Sequence, residues 1–161
     1  MDRVPNVLTM NFQWSQPRDS FNPMPLTLSH VIDLWECGML GNDPRPPDPW
    51  RPWVQLVEPL TGISSVGGPF TVPAGFVYDQ ASVPRAATWL VNPAGPHIRR
   101  AACLHDYRCP WKGDRPKPAN GEILSSNRAA DEMFDGMIAD GAAWWRANLC
   151  RWAVRNYGPR F

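Results

Sequence analysis

The spacing of hydrophobic and polar residues predicts three helices in the second half of the chain. They cover approximately residues 96–109, the stretch from Ser125 or Ser126 to Asp140, and residues 142–157. In each of them apolar side chains recur every three or four positions, which places them on one face of a helix. Pro110 ends the first helix because proline has no amide hydrogen, and Gly141 ends the second.

The middle of the chain has the shorter period of β-strands. In "WVQLVEP" (residues 53–59) side chains alternate between two faces, and "PFTVPAGFVYD" (residues 69–79) predicts two short strands around a Pro-Ala-Gly turn. We therefore expect an α+β fold, in which a small antiparallel sheet is followed by a three-helix C-terminal bundle.

In residues 1–52 the hydrophobic positions follow neither the helical nor the strand period clearly. Prolines in "GNDPRPPDPWRPW" (residues 41–53) exclude a helix and favour extended chain. A disordered linker rarely carries so many large apolar side chains as Trp14, Phe21, Trp35, Trp50 and Trp53. We interpret residues 1–52 as an irregular proline- and tryptophan-rich arm that packs on its own domain or on a neighbouring subunit, and residues 53–161 as one globular domain.

Length and charge restrict the classes of function. The chain has 161 residues, 43% of them hydrophobic, and 16 basic residues against 15 acidic ones give a net charge of +1. This balance creates no overall field that would attract nucleic acid or an anionic membrane, so we expect no nucleic-acid partner. We also expect no transmembrane segment and no signal peptide, and therefore synthesis in a cytoplasm. Cys103 and Cys109 point apart on a helix, which argues against a structural zinc site.

A histidine lies on the buried stripe of the first predicted helix. That stripe contains Ile98, Ala101, Ala102, His105 and Cys109, and the stripe of the second helix contains Ala130, Met133, Phe134, Met137 and Ile138. Because Asp131 flanks the second stripe, we expect it to face His105 from an antiparallel helix and to accept a hydrogen bond from the ring. His105 would then be a general base, and the adjacent Asp106 could hold a metal ion.

This arrangement resembles the active site of phospholipase A2, where a His-Asp dipeptide follows a glycine-containing calcium loop and a second aspartate orients the histidine. The resemblance implies His105 and Asp131 as the catalytic pair, Asp79 and Asp106 as metal ligands, and Ser82 and Tyr107 as supporting residues. It implies calcium as the cofactor, ahead of magnesium and zinc. The paired cysteines before the histidine and the glycine-rich calcium loop are absent, so Asp79 would replace backbone carbonyl oxygens.

A second resemblance covers residues 53–158. The segments "FTVPAGFVYDQASVPR", "RRAACLHDY", "NRAADEMFDGMIADG" and "WAVRNYG" resemble the domain of unknown function 1353 family, which tailed bacteriophages and prophages encode. The resemblance implies a virion component of the tail or baseplate, which is assembled in the host cytoplasm and contacts other phage subunits through the arm. Its His-Asp pocket would be hydrolase-like, with or without remaining activity.

Other interpretations of the same residues stay open. The chain could be a metal-dependent hydrolase that acts on lipid of the host envelope, with His105 as the base. "CLHD" also occurs in phosphohydrolases of the HD superfamily, but these need further histidines, and only His30 and His97 are available. Alternatively, His105 and Asp131 form a purely structural tie, while Asp79 and Ser82 cap a turn. The substrate is not indicated.

Overall fold

The computed structural model describes residues 12–37, 52–80, 92, 95–108 and 124–158. Within these ranges the helices are α1 (Leu28–Glu36), α2 (Arg99–Arg108), α3 (Ser126–Ala139) and α4 (Trp144–Tyr157). The strands are β1 (Gln13–Trp14), β2 (Met24–Pro25), β3 (Val54–Gln55), β4 (Leu60–Ser64), β5 (Gly68–Val72) and β6 (Val77–Tyr78). None of the described helices is long and apolar enough to cross a membrane.

The strands form two antiparallel sheets of three strands each. The first has the order β1-β4-β5 and the second the order β2-β3-β6. β5 and β6 are separated by the expected Pro-Ala-Gly turn, in which Gly75 has a φ of 85° that favours glycine. The α+β fold with an antiparallel sheet and C-terminal helices is confirmed. β4 was not predicted, because "LTGIS" lacks a clear alternation of apolar and polar residues.

The front of the chain is more regular than expected. Residues 12–37 contain β1, β2, a short 3-10 helix (Arg18–Ser20) and α1. β1 pairs with β4 and β2 pairs with β3, so this segment adds one strand to each sheet. Thr27 caps α1 by accepting a hydrogen bond from the amide of His30 at 3.3 Å. Strands of two residues are too short to show a period, and Trp50 lies outside the described residues.

The three C-terminal helices agree with the predicted ones to within a few residues. α2 begins at Arg99, because residues 96–98 form a turn, and Cys109 lies outside the described residues. Ser125 is the N-cap residue of α3. Gly141 follows that helix with a φ of 81°, which permits the chain to reverse into α4.

Helix α2 lies at the centre of the fold. On one side Cys103 and Leu104 join the core of the sheets, and on the other side Ala101 packs with residues of α3 and α4. Trp14 contacts both of these clusters and donates its indole hydrogen to the carbonyl oxygen of Gly136 at 3.3 Å. At Gly136 a Cβ atom would lie 3.3 Å from the Cβ of Ala101, so the small residues permit close packing of α2 on α3.

Two buried ion pairs, which we call the arginine clamp, join α2 to α3. Arg108 donates to both carboxylate oxygens of Glu132, at 3.1 and 3.2 Å, and Arg100 makes a similar two-point contact with Asp140. All four side chains are at most 3% exposed. Arg100 near the start of α2 pairs with Asp140 at the end of α3, and Arg108 at the end of α2 pairs with Glu132 in the first half of α3. The two helices are therefore antiparallel, as expected. Arg100 also donates to the carbonyl oxygen of Gln16 at 2.7 Å.

The arginine clamp predicts a large loss of stability when one carboxylate is removed. In Asp140→Ala the guanidinium of Arg100 would stay buried without its counter-charge, so the free energy of unfolding should fall by roughly 3–5 kcal/mol. Asp19→Ala is the control, because Asp19 pairs with Arg18 on the surface and its side chain is 91% exposed. This variant should change stability by less than about 0.5 kcal/mol. Denaturant titration measures both, and equal effects would contradict the role assigned to the clamp.

Candidate functional site

The C-terminal half of α2 lies against the segment around β6, and this contact brings several of the predicted residues to one region. Tyr107 packs its ring edge-to-face on Phe76, with 5.4 Å between ring centroids, and Phe76 stacks on Tyr78. Asp79, which is half-buried, directly follows Tyr78 at the end of β6. His105 and Asp106 are the neighbours of Tyr107 on α2. Asp79 at the end of β6 and the pair His105 and Asp106 on α2 therefore lie on adjacent elements.

His105 and Asp106 form the chemically most distinctive contact of this region. His105 Nδ1 lies 3.6 Å from Asp106 Oδ1, and the two side chains are 10% and 18% exposed. A carboxylate next to an imidazole nitrogen stabilises the imidazolium that forms when the ring accepts a proton. The pair therefore has the chemistry of a general base, in a position largely shielded from solvent.

Tyr78 and Cys103 form the buried floor beside this pair. Burial raises the pKa of the Tyr78 hydroxyl far above its ordinary value, and electrostatic interactions with Cys103 and Asp106 add to the effect. Burial likewise raises the pKa of the Cys103 thiol, with a further contribution from Asp106. Both groups thus keep their protons at neutral pH. Cys103 is therefore unsuited to act as a thiolate nucleophile at neutral pH.

Three buried polar atoms of this region lack a good partner. The Tyr78 hydroxyl has only the weakly bonding Cys103 thiol beside it, and the side-chain oxygen of Gln80 and Nε of Arg99 have no hydrogen-bond partner among the described residues. Gln80 is also the one described non-glycine residue with a positive φ, of 61°. Unpaired buried polar atoms and unusual backbone angles cluster at binding and catalytic sites.

The expected pairing of His105 with Asp131 is wrong. Asp131 accepts a hydrogen bond from Arg155 on α4 and lies 3.8 Å from Arg151, and no hydrogen bond or ion pair joins it to His105 in the described part of the chain. The register set by the arginine clamp explains the difference. It places Asp131 level with the end of α2, about one turn beyond His105, on the side of α3 that faces α4.

The remaining predicted site residues concern a metal ion. Ser82 lies outside the described residues. Asp79 and Asp106 are half-buried carboxylates and thus the type of oxygen ligand that calcium or magnesium prefers. Among the described residues there is no group of three or more histidine, cysteine, aspartate or glutamate side chains that could hold a metal ion. A calcium site at Asp79 and Asp106 stays a prediction.

Tyr78, Gln80 and Arg99 were not among the site residues predicted from the sequence. A usable signal was present on α2, because Arg99, Cys103 and Asp106 follow one another at intervals of four and three residues. That spacing places them on a common helix face, next to the one that carries His105. No sequence signal indicated the positive φ of Gln80, because glycine and asparagine are the residues that commonly adopt this left-handed backbone conformation.

Tyr78→Phe tests the environment of the buried hydroxyl. At pH 7 the stability should change by less than about 1 kcal/mol, because the hydroxyl has no strong partner to lose. The raised pKa keeps Tyr78 protonated in the folded chain, so its contribution to stability is present below the ordinary pKa of 10.0 and declines above it. The phenylalanine variant lacks this decline and should gain relative to the parent above about pH 10. Denaturant titrations at pH 7 and 10.5 measure this, and a loss of several kcal/mol at pH 7 would contradict it.

Comparison with known proteins confirms the resemblance to the domain of unknown function 1353 family. The family described as "Protein of unknown function (DUF1353)" matches residues 54–154. The uncharacterized protein y4jT of Sinorhizobium fredii (strain NBRC 101917 / NGR234) is 28% identical over 110 residues, which are 68% of this chain and 30% of that protein. The chain thus spans about three tenths of the length of this relative. No solved structure matches. Since the matched region, residues 54–154, exceeds half of its length, the chain belongs to the DUF1353 family of proteins of unknown function.

Proposed function

We propose that the chain is a bacteriophage virion component of the tail or baseplate that carries a hydrolase-type pocket with His105 as its general base. The observation that carries the hydrolase part is the shielded contact between His105 Nδ1 and Asp106. The unpartnered side-chain atoms of Gln80 and Arg99, and the Tyr78 hydroxyl with only the Cys103 thiol beside it, support it, because a bound substrate would give them partners.

The proposed reaction is the hydrolysis of an ester, and it uses the side chains that surround His105 and Asp106. His105 takes a proton from a water molecule, and the water oxygen bonds to the carbonyl carbon of an ester to give a tetrahedral intermediate. The acyl C–O bond then breaks, and the imidazolium returns the proton to the leaving alcohol oxygen. The carboxylate of Asp106 stabilises the imidazolium between these steps. Tyr78 stays a phenol and is thus a hydrogen-bond donor for a substrate oxygen, while Arg99 favours negative charge there.

A divalent cation is compatible with this proposal. Asp79 and Asp106 are the described residues that would hold it, and calcium is the first choice because carboxylate and carbonyl oxygens suit it. Such an ion would polarise the substrate oxygen. The proposed steps at His105 are the same with or without it.

The virion part of the proposal is supported by the phage resemblance of residues 53–158 and by the arm in front of them. Contacts within the chain restrict which part of the arm could reach a neighbour. Trp14 and Phe21 pack in the core of their own domain, so they are not available to another subunit. Contacts with neighbouring subunits through residues 1–52 would therefore depend on other positions.

The hydrolase proposal is tested by turnover of p-nitrophenyl esters and of phospholipid vesicles. His105→Ala and Asp106→Asn should lower the rate about 10²–10⁴-fold, the usual contribution of a general base. Asp131→Asn tests whether Asp106 or Asp131 assists His105, because Asp131 accepts a hydrogen bond from Arg155 and lies 3.8 Å from Arg151 of α4. Its rate should stay within about twofold of the parent. An unchanged rate in His105→Ala, with folding verified by circular dichroism, would overturn the proposal.

The metal is tested by calorimetry and thermal unfolding with calcium and with magnesium. Binding to the folded chain alone should stabilise it by about 2.7 kcal/mol at a hundredfold excess over the dissociation constant. Asp106→Asn should remove this gain, whereas His105→Ala should keep it. Absence of heat and of stabilisation at millimolar ion would remove the metal from the proposal.

The virion part is tested by mass spectrometry of purified phage particles. The chain should be present in particles at a fixed ratio to the tail proteins, and should stay bound after washing in high salt. If it is found only in the soluble lysate, the virion part is wrong. Turnover by the isolated chain in that case would favour the alternative, a metal-dependent, phospholipase A2-like esterase that acts on the host envelope.

A further inference from the structure

We propose that the outer face of α4 binds the surface of membranes that contain anionic phospholipid. This face carries Trp144, Trp145, Trp152 and Tyr157, which we call the aromatic face. Their exposed fractions are 65%, 50%, 53% and 75%, among the highest of the large hydrophobic side chains in the described residues. Burial of such rings is strongly favourable, so their exposure indicates a surface that contacts something else.

The contact between α4 and α3 explains why these rings are exposed to solvent. Ala147 and Cys150 are buried and, with Val154, pack against Met133 and Met137 of α3. Trp145 and Trp152 are seven residues apart, which is two helical turns, and therefore lie on one stripe directed away from that contact. The helix is thus anchored by one side and presents the other as a row of aromatic rings.

The residue types favour a lipid surface. Tryptophan and tyrosine combine a large apolar ring with a polar N–H or O–H group, and they are enriched where hydrocarbon meets lipid headgroups. Trp145 and Trp152 lie seven helical steps, or about 10 Å, apart, and the Tyr157 ring packs edge-to-face on that of Trp152 with 5.6 Å between centroids. Rings aligned in this way along one side of a helix suit a flat surface, whereas the residues that dominate protein–protein binding usually cluster at the centre of an interface.

The charges of α4 select anionic lipid. The helix contains Arg146, Arg151 and Arg155 and no acidic residue. Arg146 lies over the ring of Trp145, 5.0 Å from its centroid, so a cation accompanies the aromatic face. The single carboxylate of Asp131 interacts with both Arg151 and Arg155, which leaves this surface positive although the whole chain carries only +1. Basic residues beside interfacial aromatic rings attract anionic headgroups.

The test is sedimentation of the full chain with vesicles of phosphatidylcholine alone and of phosphatidylcholine with phosphatidylglycerol. Binding should be strong only with the anionic vesicles and should weaken as salt is raised. The double variant Trp145→Ser/Trp152→Ser should bind at least about tenfold more weakly, and Arg146→Gln several-fold more weakly. Val57→Ser and Ile63→Ser are matched controls, because these apolar side chains are 61% and 41% exposed on other elements, and they should bind like the parent.

Three results would overturn the inference. The first is no binding to anionic vesicles at low salt, and the second is equal loss of binding in the aromatic-face variant and in the controls. The third is self-association of the parent chain that the aromatic-face variant abolishes while vesicle binding persists, which would show an interface between proteins. His105→Ala should bind vesicles like the parent, so that failure of the hydrolase proposal and failure of this one are distinguishable.

Discussion

The fold depends on two arginine side chains that are buried in its centre. A guanidinium removed from water is very unfavourable unless a carboxylate and further hydrogen bonds compensate it, and Arg100 and Arg108 obtain this compensation from Asp140 and Glu132. These requirements fix which turn of α2 lies against which turn of α3. The arginine clamp also reaches the sheets, through the bond of Arg100 to Gln16 and through the close approach of Gly67 to Arg108. A Cβ at Gly67 would lie 2.7 Å from the guanidinium.

The clamp determines where the candidate chemistry lies. Because both arginines belong to α2, the residues between them are held in one orientation, with Cys103 directed to Tyr78 and His105 beside Asp106. The same register carries Asp131 away from His105 and towards the arginines of α4. One set of buried charges therefore gives Asp131 a place in the contact between α3 and α4 and leaves Asp106, the next residue of α2, beside the imidazole. The aromatic face belongs to α4, a different helix from the one that carries His105 and Asp106.

Much of the fold followed from local patterns, whereas the contacts of charged side chains did not. Helical periodicity gave α3 and α4 almost to the residue, and the Pro-Ala-Gly turn gave the connection between β5 and β6. β1 and β2 have two residues each and exist only through pairing with distant strands, so no local pattern identifies them. Arg100 and Glu132 are buried because each pairs with an opposite charge far along the chain, Asp140 and Arg108 respectively. No local sequence pattern indicates these pairings. The placement of His105 on a buried face was predictable, but the contacts of Asp131 with Arg155 and Arg151 were not.

The central claim is that the buried arginine–carboxylate pairs fix the register of α2 on α3, and a double-mutant cycle between Arg108 and Glu132 tests it most directly. The variants are Arg108→Met, Glu132→Leu and the combination, each measured by denaturant titration. The account predicts that each single change costs roughly 3–5 kcal/mol, because it leaves one buried charge alone, and that the combination costs far less than their sum. If the two losses simply add, the side chains are not coupled, and the register derived from them would be contradicted.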